Sequence, residues 1–138
     1  MQSVCELCTS MGGERVWQDD FCRVVLVDDP AYPGFTRVIL NRHVAELSDL
    51  DSAERQRLMN VVTAVERVVR DVLHPDKINL ASLGNMVPHL HWHVIPRWQG
   101  DRHFPSPVWA EPRRPSAVPP VSEEMLGMLR QRLSLLEP

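Results

Sequence analysis

The stretch His89-Leu90-His91-Trp92-His93-Val94-Ile95 constrains this chain more than any other. Successive side chains of a strand point to opposite faces. His89, His91 and His93 therefore share one face, neighbours lying roughly 6–7 Å apart. Leu90, Trp92 and Val94 point to the other, apolar side. Three of the six histidines fall within five residues. Each imidazole needs polar partners and titrates near neutral pH, so a purely structural row of three is hard to build. Imidazoles in a row suit two tasks, binding a metal or handling phosphate.

The rest of the chain reads as scaffold for that strand. Cys5 to Gly13 reads as a loop around a Cys-x-x-Cys knuckle. Glu14 to Gln18, the β-branched run Cys22 to Val27, and Phe35 to Leu40 read as strands separated by Asp19-Asp20 and Pro33-Gly34 turns. A capping-box pattern at Asp51 and Glu54 opens a helix expected from about Ser52 to Leu73. Leu58, Val61, Val62, Val65, Val69 and Val72 form its apolar stripe, and Pro75 ends it. Ile78 to Leu83 reads as a buried strand. The histidine strand runs from His89 to Ile95 and is closed by Pro96. Seven of the twelve prolines lie between Pro96 and Pro120, so the segment from Pro105 to Pro120 is expected to be irregular. Ser122 caps a last helix. The order predicts one α+β domain over residues 1–138: an antiparallel sheet packed with one long helix plus a C-terminal helix. Its core spans about 5–100, with a proline-rich tail and helix over 104–138.

Composition excludes several classes. The 138 residues are 43% hydrophobic and 24% charged, as in an average globular protein. The formal net charge of −3 offers no basic excess for nucleic acid. No apolar run approaches the ~18–20 residues of a membrane span, and no signal-peptide pattern opens the sequence. Three cysteines do not make a disulfide framework. The expectation is a cytoplasmic protein with no nucleic-acid or membrane partner.

The triad with its spacing, together with Tyr32-Pro33-Gly34-Phe35, Arg42-His43 and the run from Asn79 to His89 containing Gly84-Asn85, resembles the histidine triad (HIT) family. The likeness covers roughly Cys5 to Arg97 and points to a bacterial branch of nucleotide hydrolases, similar to diadenosine tetraphosphate hydrolases. It implies a HIT-like fold and an enzyme acting on a nucleotide α-phosphate. By this resemblance His91 is the nucleophile and forms a nucleotidyl-histidine intermediate. His93 contacts phosphate oxygens, and His89 completes the catalytic row. Asn85 contacts phosphate, and Asp28 binds ribose hydroxyls. Both also read as ordinary turn residues, and Asp28 is not cleanly separable from Asp29. The resemblance also implies a structural zinc site on Cys5, Cys8, His43 and His89; where the cysteines are lacking, the two histidines support the catalytic one instead. A metal-free or redox Cys-x-x-Cys is the alternative.

The expected function is therefore a hydrolase of dinucleoside polyphosphates or nucleoside phosphoramidates. The rival readings are a nucleotidyltransferase, a nucleotide-binding module with little turnover, and a zinc-dependent interaction domain. Arg42, Arg97 and His103 are expected mostly at the solvated surface, Cys22 and Trp92 in the core. Ser82 or a protonated triad histidine is the candidate proton donor. A homodimer is expected, with Phe104, Val108 and Trp109 as apolar anchors and many relatives two-fold dimers.

Overall fold

Alternation along the strands gives one sheet two unlike faces. The computed structural model describes residues 4–138. The N-terminal reading that excluded a leader falls partly on residues 1–3, outside the described residues. Five strands form: β1 (Glu14–Gln18), β2 (Cys22–Leu26), β3 (Thr36–Leu40), β4 (Lys77–Ala81) and β5 (His91–Arg97). They lie in the order β1-β2-β3-β5-β4, every neighbouring pair antiparallel. Directly opposed residues share a face. Val24, Val38 and Trp92 form one such row; Val25, Arg37 and His93 form another, and Arg23, Ile39 and His91 a third. The first row meets a helix, and the other two are left for the site.

That helix is α2 (Ser52–Leu73). Asp51 accepts from the Glu54 backbone N–H at 2.8 Å, and Glu54 accepts from that of Asp51 at 3.1 Å, closing the expected capping box. Eight of its residues, Leu58 through Leu73, are buried. They pack on Val24, Leu26, Val38, Leu40 and Val94. Each buried Val or Leu contributes about 1.5–3 kcal/mol, so this contact outweighs helix propensity. His74 ends α2 in the left-handed region (φ 49°, ψ 51°), just before Pro75.

Several expectations change. The knuckle is not all loop: Glu6–Thr9 is a helical turn, α1. Arg23 clamps it to the sheet by donating to the carbonyls of Leu7 (2.7 Å), Ser10 (3.2 Å) and Met11 (3.0 Å). β4 is a half-exposed edge strand rather than a buried one, because it ends the sheet order. β5 begins at His91, two residues later than expected, and runs through Pro96. Its pairing with β3 stops at Val94, so Pro96 has only β4 beside it. A proline is tolerated in such an edge-like place.

The C-terminal segment is not an appendage. Ser122 accepts from the Met125 N–H and caps α3 (Glu123–Ser134). Leu129 and Leu133 of α3 are fully buried in the same core as α2. Trp17 Nε1 donates to the Leu136 carbonyl, and Arg130 pairs with Glu14. No helix among the described residues is long and apolar enough to cross a membrane.

Candidate active site

His91 and His93 leave the site face of β5 side by side, ring centroids 4.9 Å apart. They line a cleft of about 500 Å³ with Arg37, Glu6, Leu7, the loop Leu83–Val87 and Trp109. His91 Nδ1 lies 2.6 Å from the backbone carbonyl of His89. A carbonyl only accepts, so Nδ1 carries the proton and Nε2 keeps its lone pair. His93 is enclosed by rings: Phe35 stands edge-on at 5.7 Å and Trp109 at 5.0 Å. Burial first, then the nearby His91 and Arg37, push its pKa down to about 4. His93 is therefore neutral at pH 7, and its buried Nδ1 has no partner among the described residues.

The His89 ring does not line this cleft. It precedes β5 and turns toward the knuckle, where it is fully buried. The row of three histidines on one face is thus two histidines in the cleft and one behind it. His89 Nε2 donates to the Leu40 carbonyl at 2.6 Å, which frees Nδ1 as an electron-pair donor. That Nδ1 lies 3.3 Å from Cys5 Sγ and 3.4 Å from Cys8 Sγ; His43 Nδ1 lies 3.4 Å from Cys8 Sγ. The four ligand atoms of Cys5, Cys8, His43 and His89 fall within 4.8 Å of one another. A tetrahedral ion with ordinary Zn–S and Zn–N bonds needs sulfur–nitrogen edges of roughly 3.5 Å. The donor set and spacing fit such an ion, and the ring hydrogen bond to Leu40 supplies the outer contact that metal-bound histidines use.

A buried polar knot carries the chain past the cleft. Arg97 and Asp101 are 1% and 0% exposed and pair through Nε–Oδ2 at 2.7 Å and Nη2–Oδ1 at 3.1 Å. Asp101 also accepts from the backbone N–H groups of Trp98, His103 and Phe104. Burial alone would raise its pKa, but Arg97 and the N–H groups of His103 and Phe104 hold it down at about 2. The Tyr32 hydroxyl donates to Asp101 Oδ1 and lies 2.6 Å from His103 Nδ1. Arg97 and His103 were expected at the surface; both are core residues because Asp101 and Tyr32 satisfy them. Arg97 further donates to the Ser106 carbonyl, and Arg114 to those of Asp101 and Phe104. The irregular segment is so held, and Trp109 is delivered to His93.

Other predicted residues separate. Asn85 lines the cleft from an exposed loop. Asp28 does not: it is exposed and borders a different depression with Gly34, Glu14 and Arg130. Ser82 donates its hydroxyl to the His91 carbonyl at 2.7 Å. Arg42 pairs with Glu54 on the surface. Cys22 is buried, which pushes its thiol up to about 12. Trp92 packs on the core side of the sheet. Of the expected interface anchors, Val108 packs on Tyr32, Phe35 and Ile95, and Phe104 lies over Arg97. Sequence reasoning missed Arg37; the signal was an arginine at the middle of the apolar run Phe35-Thr36-Arg37-Val38-Ile39-Leu40.

A five-stranded antiparallel sheet backed by one long helix, with a histidine pair on β5, fourth in the sheet order, and a third histidine just before it, defines the histidine triad class. The chain belongs to the HIT domain family, whose model matches residues 11–100. An AP-4-A phosphorylase of Mycobacterium tuberculosis is 37% identical over 81 residues, 54% of this chain and 42% of that protein. An asymmetrical bis(5'-nucleosyl)-tetraphosphatase of Schizosaccharomyces pombe is 35% identical over 77 residues, 52% of this chain and 42% of that protein. The chain thus spans less than half the length of these curated relatives. A histidine triad protein of Bradyrhizobium japonicum superposes with a TM-score of 0.74 at 26% identity, covering 95% of this chain and 94% of its own. One of Marinobacter aquaeolei VT8 gives 0.72 at 30% identity, covering 95% and 92%.

Proposed function

We propose that this protein is a nucleotidyl hydrolase acting on the α-phosphate of dinucleoside polyphosphates or nucleoside phosphoramidates. The carrying observation is the Nδ1–H of His91 donated to the His89 carbonyl, which makes Nε2 the lone-pair nitrogen of the neutral ring on a cleft residue. In the first step the Nε2 lone pair forms a bond to the α-phosphorus, and the bond from phosphorus to the leaving oxygen or nitrogen breaks. The His89 carbonyl stabilises the positive ring that results. Water then attacks phosphorus and loses a proton to solvent, the N–P bond breaks with its electron pair returning to His91 Nε2, and a nucleoside monophosphate leaves. Asn85 and His93 flank the phosphate, and Leu83, Met86, Val87 and Trp109 give apolar walls for a base. The names of the curated relatives support dinucleoside polyphosphates as the first substrates to try.

Rapid denaturation after mixing with diadenosine tetraphosphate, followed by peptide mass spectrometry, tests this reading. Adenylate on the peptide containing His91 is expected. Turnover without any adduct overturns the covalent route. Tight AMP binding without turnover makes the chain a binding module, and transfer to an acceptor other than water makes it a nucleotidyltransferase.

Two further parts belong to the same proposal. Cys5, Cys8, His43 and His89 would hold a structural zinc ion, joining α1 to the start of β5. The chain would form a homodimer; the open edge of β4, with Leu80 exposed, supports it. Light scattering checks the dimer, and a clean monomer mass at micromolar concentration rejects it.

A further inference from the structure

A substrate phosphate brings negative charge into the cleft, and the lining must meet it. His93 is held neutral by its burial, and His91 is the proposed nucleophile rather than a fixed charge. Among the described residues lining the cleft, Arg37 is the one lasting cation, with Glu6 the one carboxylate. Arg37 stands directly opposite His93 in the β3–β5 register, so both side chains rise from the same face. Its guanidinium has one hydrogen bond, from Nη1 to the Gly12 carbonyl at 3.1 Å. The Phe35 ring lies 5.8 Å from the guanidinium carbon and walls one side. The Arg37 Nε is buried with no acceptor among the described residues, and the Nδ1 of its neighbour His93 is likewise buried without a partner among them.

Buried polar atoms without partners are rare and costly, about 1–3 kcal/mol each and more for charged groups. Here two of them sit on paired residues of adjacent strands, beside the proposed nucleophile and at one cleft. Phosphate oxygens are acceptors that satisfy an arginine Nε–H, and a neutral imidazole can offer its proton from Nδ1. Glu6, the other charged residue of the lining, lies near enough to Arg37 to favour its charged form. A structural arginine in mid-strand is expected to spend most of its donors on the protein: Arg23 makes three such hydrogen bonds and Arg97 four, against the one of Arg37.

We propose that Arg37 binds the substrate phosphate, donating its charge and its free N–H groups to the oxygens beside His93. This rests on the phosphate reading of the cleft and is independent of the covalent step.

Calorimetric titration with AMP tests it on three proteins. Arg37→Gln keeps an amide donor but removes the charge; Arg37→Lys keeps the charge. Loss of a charged hydrogen bond corresponds to about 10- to 100-fold in affinity, expected for Arg37→Gln, with a smaller loss for Arg37→Lys. An Arg37→Gln protein that binds AMP as tightly as the wild type overturns the proposal. So does an Arg37→Lys protein that loses as much as Arg37→Gln, and so does a wild type that binds no AMP. Should Arg37→Gln fail to fold, Arg37→Lys and the salt dependence of wild-type binding decide: AMP affinity indifferent to salt overturns it. Adduct trapping on His91 separates the two readings. An adduct in the wild type with undiminished AMP binding by Arg37→Gln leaves the hydrolase standing and Arg37 rejected. Weakened AMP binding by Arg37→Gln with no adduct in the wild type does the reverse.

Discussion

His91 Nδ1 donates to the carbonyl of His89 at 2.6 Å, and the ring of that same His89 sits 3.3 Å from Cys5 Sγ. The proposed nucleophile is therefore oriented by the backbone of a residue whose side chain is fixed in the Cys and His cluster. Any loosening of the knuckle reaches His91 through one peptide unit.

Replacing His91 by alanine should remove turnover by at least about 10³-fold while the fold survives, because a nucleophile acts as a unit with its site. The ring lies on the cleft face and leaves the α2 core untouched. Steady-state kinetics beside a circular dichroism melt checks both halves. Full activity in the variant removes His91 from the mechanism.

Metal analysis of protein purified without added metal or a histidine tag should find about one zinc per chain, since two thiolates and two imidazoles make a complete tetrahedral set. A chelator should then lower the melting temperature, because the ion binds only the folded arrangement. Cys5→Ser should lower it too and spare part of the activity, as His91 is not a ligand. Metal-free protein whose melting is indifferent to chelator returns His43 and His89 to supporting the catalytic histidine.

Stability should fall on mild acidification. The His93 pKa is pushed from its ordinary 6.5 to about 4 in the folded chain. Between those values the unfolded chain binds the proton and the folded one does not, so stability is present above pH 6.5 and drains away as pH falls toward 4. The full loss is on the order of 3 kcal/mol. His93→Gln should flatten the slope of melting temperature against pH in that window. Asp101, held at about 2, contributes a separate loss only below the usual carboxylate range. A His93→Gln protein with the wild-type slope between pH 4 and 6.5 would assign the effect elsewhere.

Asp101→Asn should destabilise by about 3–5 kcal/mol, since it leaves Arg97, 1% exposed, without its counter-charge. Denaturant unfolding measures the loss. Limited proteolysis should show faster cutting between Phe104 and Pro120, the segment that Arg97 and the Asp101 loop hold down. Unchanged unfolding would mean that the pair is replaceable by packing.

Local periodicity made much of this protein readable from its sequence. The α2 stripe, its capping box and its end before Pro75 follow from spacing within one segment, and so does the polar face of the histidine strand. The Cys-x-x-Cys pair pointed to His43 and His89 only through family resemblance, since ligands 35 and more residues apart share no local pattern. What the tertiary structure decided were facts of register and chain path. Pairing of β3 with β5 sets Arg37 opposite His93, which no reading of either strand alone provides. His89 belongs to the knuckle rather than the cleft because β5 starts at His91 and Leu40 captures its ring. Arg97, Asp101 and His103 are residue types that ordinarily face water; with Tyr32 they are buried because they satisfy one another, a condition that exists only once the chain has folded. Trp109 reached the cleft by the same means. Side-chain alternation depends on the nearest neighbours along the chain, whereas a buried charge depends on partners that only folding brings within reach.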